Sequence, residues 1–517
     1  MKYILLLLFP LMTLTIYAQD NDDEKDFTME LFADPIDESK EEEESDLPMD
    51  IFAEPEQEAS REEESEEKEE QELSEIQKKT SYLSLLFRNL HGNIDSRYFG
   101  YFSTLEKNDS FNLDPQDRHH IFELHNELNS YTGNDIWRLN FNLHFNLGST
   151  PNDYHSVFQE SEDFQFKDFL QDRDSERRYF SVQELYGSLF MKKMDLHIGK
   201  KIISNSLSKM YSPADIYSAY DSVDPYNIIK RGRYLLEWNL FFGDSSLSII
   251  ILPLYQWGKN PDIISRWRYY STIDQLTDMG WIPADKAELE VIENPSVDIK
   301  LANISYLLKF KSSLPGVDLF GGAFYGLNNN QVFQLSLNQL FQLEIESSVV
   351  PVINGSAGFS ANTGPWGFHG EALYNHTLES KDDDYLRYVG GLSFKIDGFS
   401  GRSPFEQIEW ILEYAGEWLS SEQSHIDYQV SSKNQRSFKN DFLLSSRISF
   451  KKDLELALFG QVNWKNPGGT FIAETNYKGI ENWEFSLTGQ FFFAESDSSA
   501  YTLRDNNRMI ANVKFYY

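Results

Sequence analysis

The chain has 517 residues and no cysteine. That absence excludes disulfides, thiolate metal sites, a cysteine nucleophile and anchoring through a lipoprotein cysteine. Long apolar runs are scarce too. A helical span needs roughly 18 consecutive apolar residues, and the mean hydropathy is −0.49 although 15% of residues are aromatic. One stretch comes close, at the N-terminus: Lys2, then Ile4, Leu5–Leu8, Phe9, Pro10, Leu11 and Met12, then Thr13 to Ala18. A basic start, a short apolar run and a small residue at Ala18 read as a secretory signal peptide over residues 1–18. Basic charge is the third shortage, with 46 Lys and Arg against 82 Asp and Glu. Phosphate contact needs a basic surface, so the balance disfavours nucleic acid as a partner.

The acidic excess is concentrated. Residues 19–77 hold 27 acidic and 4 basic side chains, well over half of the net charge of −36. Such a segment buries too little apolar surface to offset its ordering entropy, and residues 19–78 are expected to be a disordered periplasmic segment. Within it Met29-Glu30-Leu31-Phe32-Ala33-Asp34-Pro35 recurs as Met49-Asp50-Ile51-Phe52-Ala53-Glu54-Pro55. An apolar motif repeated in acidic surroundings reads either as a docking site for a periplasmic partner or as a duplicated solvated spacer.

From residue 79 onward the pattern changes to strict alternation. Leu139, Phe141, Leu143, Phe145 and Leu147 alternate with Asn140, Asn142, His144 and Asn146. Trp483, Phe485, Leu487, Gly489, Phe491 and Phe493 alternate with Glu484, Ser486, Thr488 and Gln490. A period of two marks a strand with unlike faces. The segments run about 10–14 residues, longer than the roughly 5–6 of a soluble sandwich and enough to cross a bilayer when tilted. About 18 such strands are predicted. They lie near 92–104, 119–131, 135–148, 178–191, 194–206, 231–243, 245–257, 297–311, 317–328, 346–361, 365–376, 384–397, 407–420, 440–451, 453–465, 468–479, 482–494 and 505–517. Their links mostly alternate short and long, as in outer-membrane barrels with short periplasmic turns and long outer loops. Two links break the pattern: Asn466-Pro467-Gly468 is tight where a loop is expected, and 398–406 is long for a turn. Backbone groups in hydrocarbon must all pair within the protein, so spanning strands imply a closed barrel. Trp137, Trp366, Trp418, Trp464 and Trp483 fall near strand ends, where interfacial aromatic girdles sit. The fold class is therefore all-β, a transmembrane antiparallel up-and-down barrel over 79–517 with both termini in the periplasm. Its last strand carries Met509, Ala511, Val513, Phe515 and Tyr517 on one face. It resembles the C-terminal signal read by the barrel assembly machinery.

Parity also assigns an interior. Arg138, His144, Arg233, Glu237, Asn239, Arg387, Lys395, Glu409, Glu413, Glu417, Arg447, Glu455, Gln461, Glu484 and Lys514 are expected to point inward. Glu409, Glu413 and Glu417 form an acidic stripe, faced by Arg387 and Arg447 from neighbouring strands. Opposed charged walls orient solutes in a constriction; the alternative is a plugged lumen in which the same charges neutralise one another. The segment 207–230, with Pro213, Asp215 and Asp224, is the candidate for an inward-folding constriction loop, with an ordinary surface loop as the alternative. Polar residues stand at mid-strand on the inward parity throughout, which favours an open lumen. Catalysis has little support. No phosphate loop or nucleophile elbow stands in strand-turn-helix context. The one histidine cluster, His119, His120 and His125, lies near a loop-to-strand junction and reads as solvated. No cofactor, metal or catalytic site is expected.

One region adds a resemblance. Glu184-Leu185-Tyr186-Gly187-Ser188-Leu189 leads through Asp195-Leu196-His197-Ile198-Gly199-Lys200-Lys201 into Ser212-Pro213-Ala214-Asp215-Ile216 and Asp224-Pro225. Phe242-Gly243-Asp244-Ser245-Ser246-Leu247 and Ile251-Leu252-Pro253-Leu254-Tyr255 follow. This order resembles a porin-like family of largely uncharacterised bacterial outer-membrane barrels, over roughly 184–255. Two positions depart from the family pattern: Lys201 stands in place of Gln, and Ser206-Leu207-Ser208 in place of Trp-Gly. The resemblance implies a barrel with a transport or export role and no particular substrate. The expected function is a porin-like channel or transporter for small solutes in contact with outer-membrane lipids. The alternative is a non-conducting barrel serving as scaffold or anchor, with the acidic segment binding a periplasmic partner.

Overall fold

The computed structural model describes residues 89–106, 119–148, 170 and 180–517, apart from breaks at 223, 260, 262–264, 268–288, 293–296, 331, 338–342, 400–402, 426–427, 431, 452 and 496–498. The signal peptide and acidic segment read from the sequence lie outside the described residues. Eighteen strands form one antiparallel sheet. They are β1 (His91–Tyr101), β2 (His120–Gly133), β3 (Trp137–Gly148), β4 (Phe180–Met191), β5 (Met194–Lys201), β6 (Arg233–Phe242), β7 (Ser245–Leu252), β8 (Ser305–Leu314) and β9 (Val317–Leu327). The circuit continues with β10 (Pro351–Thr363), β11 (Trp366–Thr377), β12 (Asp384–Asp397), β13 (Phe405–Ser421), β14 (Asn440–Phe450), β15 (Leu454–Asn463), β16 (Gly468–Ile480), β17 (Trp483–Ala494) and β18 (Arg508–Tyr516). Each strand pairs with the next in sequence, and β18 pairs with β1 from Asn93 opposite Tyr516 to Tyr101 opposite Arg508. Gly92 and Tyr517 exchange two backbone hydrogen bonds of 3.1 Å at the seam. The sheet is thus a closed barrel with no free edge, the condition that lets strands stand in hydrocarbon.

The connections fall into two classes. Short turns join β6 to β7 through Gly243-Asp244, and β8 to β9 through Pro315-Gly316. Gly243 and Gly316 have φ of 63° and 76°, the left-handed region a side chain resists. Both described termini lie at this short-turn end. At the other end, three long connections share a second sheet. Val332–Leu337 pairs antiparallel with Leu343–Ser348 and with Tyr428–Val430, and Leu343–Ser348 pairs parallel with Leu289–Ile292. The two irregular links hold in the structure: β15 and β16 are joined by residues 464–467, and β12 and β13 by 398–404.

The barrel wears its apolar residues outside. Leu139, Phe145, Leu147, Leu412, Phe471, Leu487 and Phe491 are all exposed, with Leu147 58% accessible. Their alternate neighbours face inward. Trp366 and Trp483 are exposed at the short-turn end, and Trp418 and Trp464 at the loop end. This inversion of a soluble protein suits lipid on the outer face.

The structure corrects four local expectations. β5 ends at Lys201, not 206, because the chain there leaves the wall and turns inward. β8 begins at Ser305, not 297, since Leu301–Asn303 is an exposed 3-10 turn. β10 begins at Pro351, not 346, because Leu343–Ser348 joins the outer sheet. His125 is not a solvated loop residue: it is buried within β2, with Nε2 2.9 Å from Glu123 Oε2 and Nδ1 2.7 Å from Asn146 Oδ1.

Leu412, 41% exposed at the middle of β13, provides a test of the outer face. Replacing it with arginine is expected to cost about 2–4 kcal/mol of folding free energy in lipid, the penalty for a charge at mid-bilayer. Reversible denaturant titration of protein refolded into vesicles measures this. A cost under about 1 kcal/mol would place the residue away from hydrocarbon.

Candidate functional site

The segment between β5 and β6, residues 202–232, folds into the barrel. Its root is closed by Ser218, whose Oγ accepts from Ile203 N at 2.8 Å and donates to Ile203 O at 2.9 Å. Asp215 pairs with Lys230 at 2.7 Å and accepts from Asn205 N at 3.2 Å. Lys309 of β8 donates to Ser204 O at 2.6 Å, and Arg233 of β6 to Tyr217 O at 3.3 Å and to Asn329 Oδ1 at 3.1 Å. Beneath this root the inner wall is apolar. Leu235, Ile250, Leu252, Leu307, Phe324 and Val352, from β6 to β10, pack with Ile203 and Tyr217 of the segment. The expectation of a polar inner face throughout therefore fails on this side, because folded chain rather than water covers the wall.

The tip then reaches the opposite wall. Leu207 N and Ser208 N donate to Glu371 Oε1 of β11 at 2.5 and 2.6 Å, and Ser212 Oγ donates to Glu371 Oε2. Lys209 N and Met210 N donate to Glu413 Oε1 of β13 at 3.0 Å each, and Tyr211 N donates to Glu413 Oε2 at 3.0 Å. Five successive amides thus converge on two carboxylates. Such charge-assisted bonds contribute about 1.5–3 kcal/mol each. In an 18-strand ring, β11 and β13 stand six and eight strands from β5, so the segment crosses the lumen. Its return leg touches the ring again, with Tyr226 Oη 2.8 Å from Thr470 Oγ1 on β16 and Asp224 2.7 Å from Arg508 on β18.

Glu413 is wholly buried, and His369 Nε2 of β11 lies 2.7 Å from its Oε1. The two residues flank Gly391 of β12, which is paired with both. A Cβ at 391 would stand 2.4 Å from His369 Nε2 and 2.7 Å from Glu413 Cγ. The bridge exists because the strand between them carries no side chain there. Ile411 and Ala415, interleaved with the acidic stripe, form with Val389 and Leu443 an apolar seat for Met210 and Tyr211.

The sequence-derived residues divide into groups. Arg387 stands opposite Glu417, and Arg447 opposite Glu409, as the parity reading expects. Their partners differ from the expected opposed walls: Glu409 holds Lys209 Nζ at 2.9 Å, Glu417 holds Arg436 at 2.8 Å, and Arg447 pairs with Glu455 at 3.3 Å. Gln461 donates to Asp441 at 3.0 Å. Glu237 pairs with Lys201 at 2.6 Å near the root. Arg138, His144 and Asn239 lie apart from this constellation; Arg138 is exposed at the short-turn end, over the Tyr131 and Phe190 rings. Of the loop candidates, Pro213 is buried, while Asp215 and Asp224 make the ion pairs given above. Glu371, His369, Gly391, Arg436 and Arg508 are additions. Glu371 is the lone acid on the inward parity of 365–376, and that was the available signal.

At the loop end, outside the spanning strands, burial opposes the charge of Arg436, but Glu417 and Asp383 outweigh it and hold the guanidinium above its ordinary range. Burial pulls the Lys439 ammonium down to about 8, against the attraction of Glu417.

Gly391→Ala is expected to displace the His369–Glu413 bridge. Amide exchange at Lys209, Met210 and Tyr211 would then quicken by about tenfold or more, while amides of the flanking strands keep their protection. Unchanged exchange at these three amides would refute the role given to this glycine.

No protein-family model matches the chain, and no curated protein matches its sequence. Its fold is similar to that of solved structures at low identity. OccK11 (OpdR) of Pseudomonas aeruginosa is 8% identical with a TM-score of 0.41, covering 84% of this chain and 95% of its own. OccAB3 of Acinetobacter baumannii is 10% identical with a TM-score of 0.43, covering 83% and 99%. The outer membrane protein opdK of Pseudomonas aeruginosa is 10% identical with a TM-score of 0.41, again over 83% and 99%.

Proposed function

We propose that this protein is an outer-membrane channel for small solutes, narrowed by residues 202–232. The observation that carries the reading is the crossing segment, held at its tip by Glu371 and Glu413 on the far wall. A constriction built this way has a fixed shape, and fixed shape is what selects solutes by size. Two further features support it. The closed barrel presents an apolar outer face, as lipid contact requires, and a ring of 18 strands is wide enough for an aqueous path. On this reading the short-turn end, with both described termini, faces the periplasm. The pore-lining role belongs to residues that keep water contact, such as Arg138, whereas Glu413 and Arg233 act as fasteners.

The test is single-channel recording in planar bilayers, with the full chain and with a form lacking residues 19–77. Discrete steps are expected from both. Glu371→Ala with Glu413→Ala should give larger steps, since five amides lose their acceptors and the tip leaves the wall. A barrel that folds yet stays silent in every form would mean that the segment seals the lumen, and the scaffold reading would take its place.

A pH dependence follows from Lys439. Above about pH 8 it loses its proton, which removes one positive charge from the loop-end mouth. Reversal potentials at pH 7 and pH 9 should move toward cation preference in the parent protein and stay put in K439Q. Equal shifts in both would assign the titration to another group.

A further inference from the structure

The outer connection between β13 and β14 is tied down over residues 432–439 more firmly than a surface loop requires. Arg436 lies wholly inside it. Its guanidinium donates to Asp383 at 2.8 Å, to Glu417 at 2.8 and 3.3 Å, and to Ser432 Oγ at 2.6 Å, and stacks 4.3 Å over the Tyr385 ring. Asp382 accepts from Ser432 N at 2.8 Å. One cation thereby joins three pieces of the rim: its own loop, the 378–383 turn and the end of β13.

Two residues further on, Phe438 adopts φ of 58°. A phenylalanine in the left-handed region is an outlier that its surroundings must hold in place. What holds it is the crossing segment. Its ring meets Tyr211 edge-on at 4.8 Å and 62°, inside the apolar seat that receives the tip. Arg387 ties the same two pieces together: it donates to Ser437 O at 3.1 Å and lies 5.3 Å from the Tyr211 ring. Tyr211 N, in turn, is one of the amides on Glu413.

We infer that Phe438 is a positioning residue for the constriction, with Arg436 as the latch that keeps it seated, so that an event at the outer loop reaches the lumen through Tyr211. The inference rests on the channel reading for its functional meaning but not for its test. The absence of cysteine makes a single introduced thiol a unique reporter. Met210 sits in the seat and is 6% exposed, so the thiol of M210C is shielded from a charged maleimide while the tip is docked.

The experiment compares M210C alone with M210C/F438A and M210C/R436Q in detergent micelles, after heat-modifiable mobility confirms each barrel. Labelling is expected to quicken about threefold to tenfold in both combinations, the effect of losing an aromatic contact from a docking equilibrium. Bilayer recordings of F438A and R436Q should show larger steps than the parent. Unchanged labelling in both combinations overturns the coupling, whatever the channel does. Faster labelling in a protein that never conducts keeps the coupling and removes the channel reading.

Discussion

Everything in this protein follows from the need to pair each backbone amide within the chain. In a bilayer no water can satisfy a stray N–H, and the closed ring of eighteen strands answers that need for the wall. The segment inside the ring faces the same demand in a different setting. Its tip has no neighbouring strand to pair with, so Leu207 to Tyr211 turn their amides to Glu371 and Glu413. Two carboxylates do for the tip what a partner strand does for the wall.

That solution shapes the chemistry around it. A carboxylate that accepts several amides is no longer free to face water, so the acidic stripe of β13 is divided. Glu413 is spent on backbone, Glu409 on Lys209 and Glu417 on Arg436. The spaces between them are apolar, because Ile411 and Ala415 receive Met210 and Tyr211. On the far side, Ile249, Ile250 and Ile251 make a run that is apolar on both faces. Its outer face meets lipid, and its inner face meets the root of the crossing segment. A strand covered on both sides loses its alternation.

Much of this was legible in the sequence, and the reason is periodicity. Strands of 8–17 residues with unlike faces announce themselves locally, and all eighteen appear in order near their expected positions. The inward stripe at 409, 413 and 417 was legible for the same reason. The destinations of the crossing segment were not. Leu207 meets Glu371 across 164 positions, and Tyr211 meets Glu413 across 202. No local pattern encodes a contact of that reach. Glu371 and His369 were hidden further by glycine and alanine neighbours, which weaken the alternation of β11. Strand alternation breaks at Ile249–Ile251, a sign of covered wall that the expectation of a polar inner face throughout passed over.

The glycines of this barrel do two kinds of work, and they differ in what could replace them. Those in the short turns supply a backbone angle that asparagine or aspartate also tolerates; Asn482 and Asp453 take that conformation here, with φ of 64° and 58°. Gly391 supplies vacancy instead. Its backbone angle is ordinary, but a methyl group would strike both His369 and Glu413. Glycine is the one residue without a Cβ, so this position has no substitute among the encoded amino acids. A glycine of the wall can therefore be required in mid-strand, at an ordinary backbone angle, where the sequence shows only one of two successive glycines.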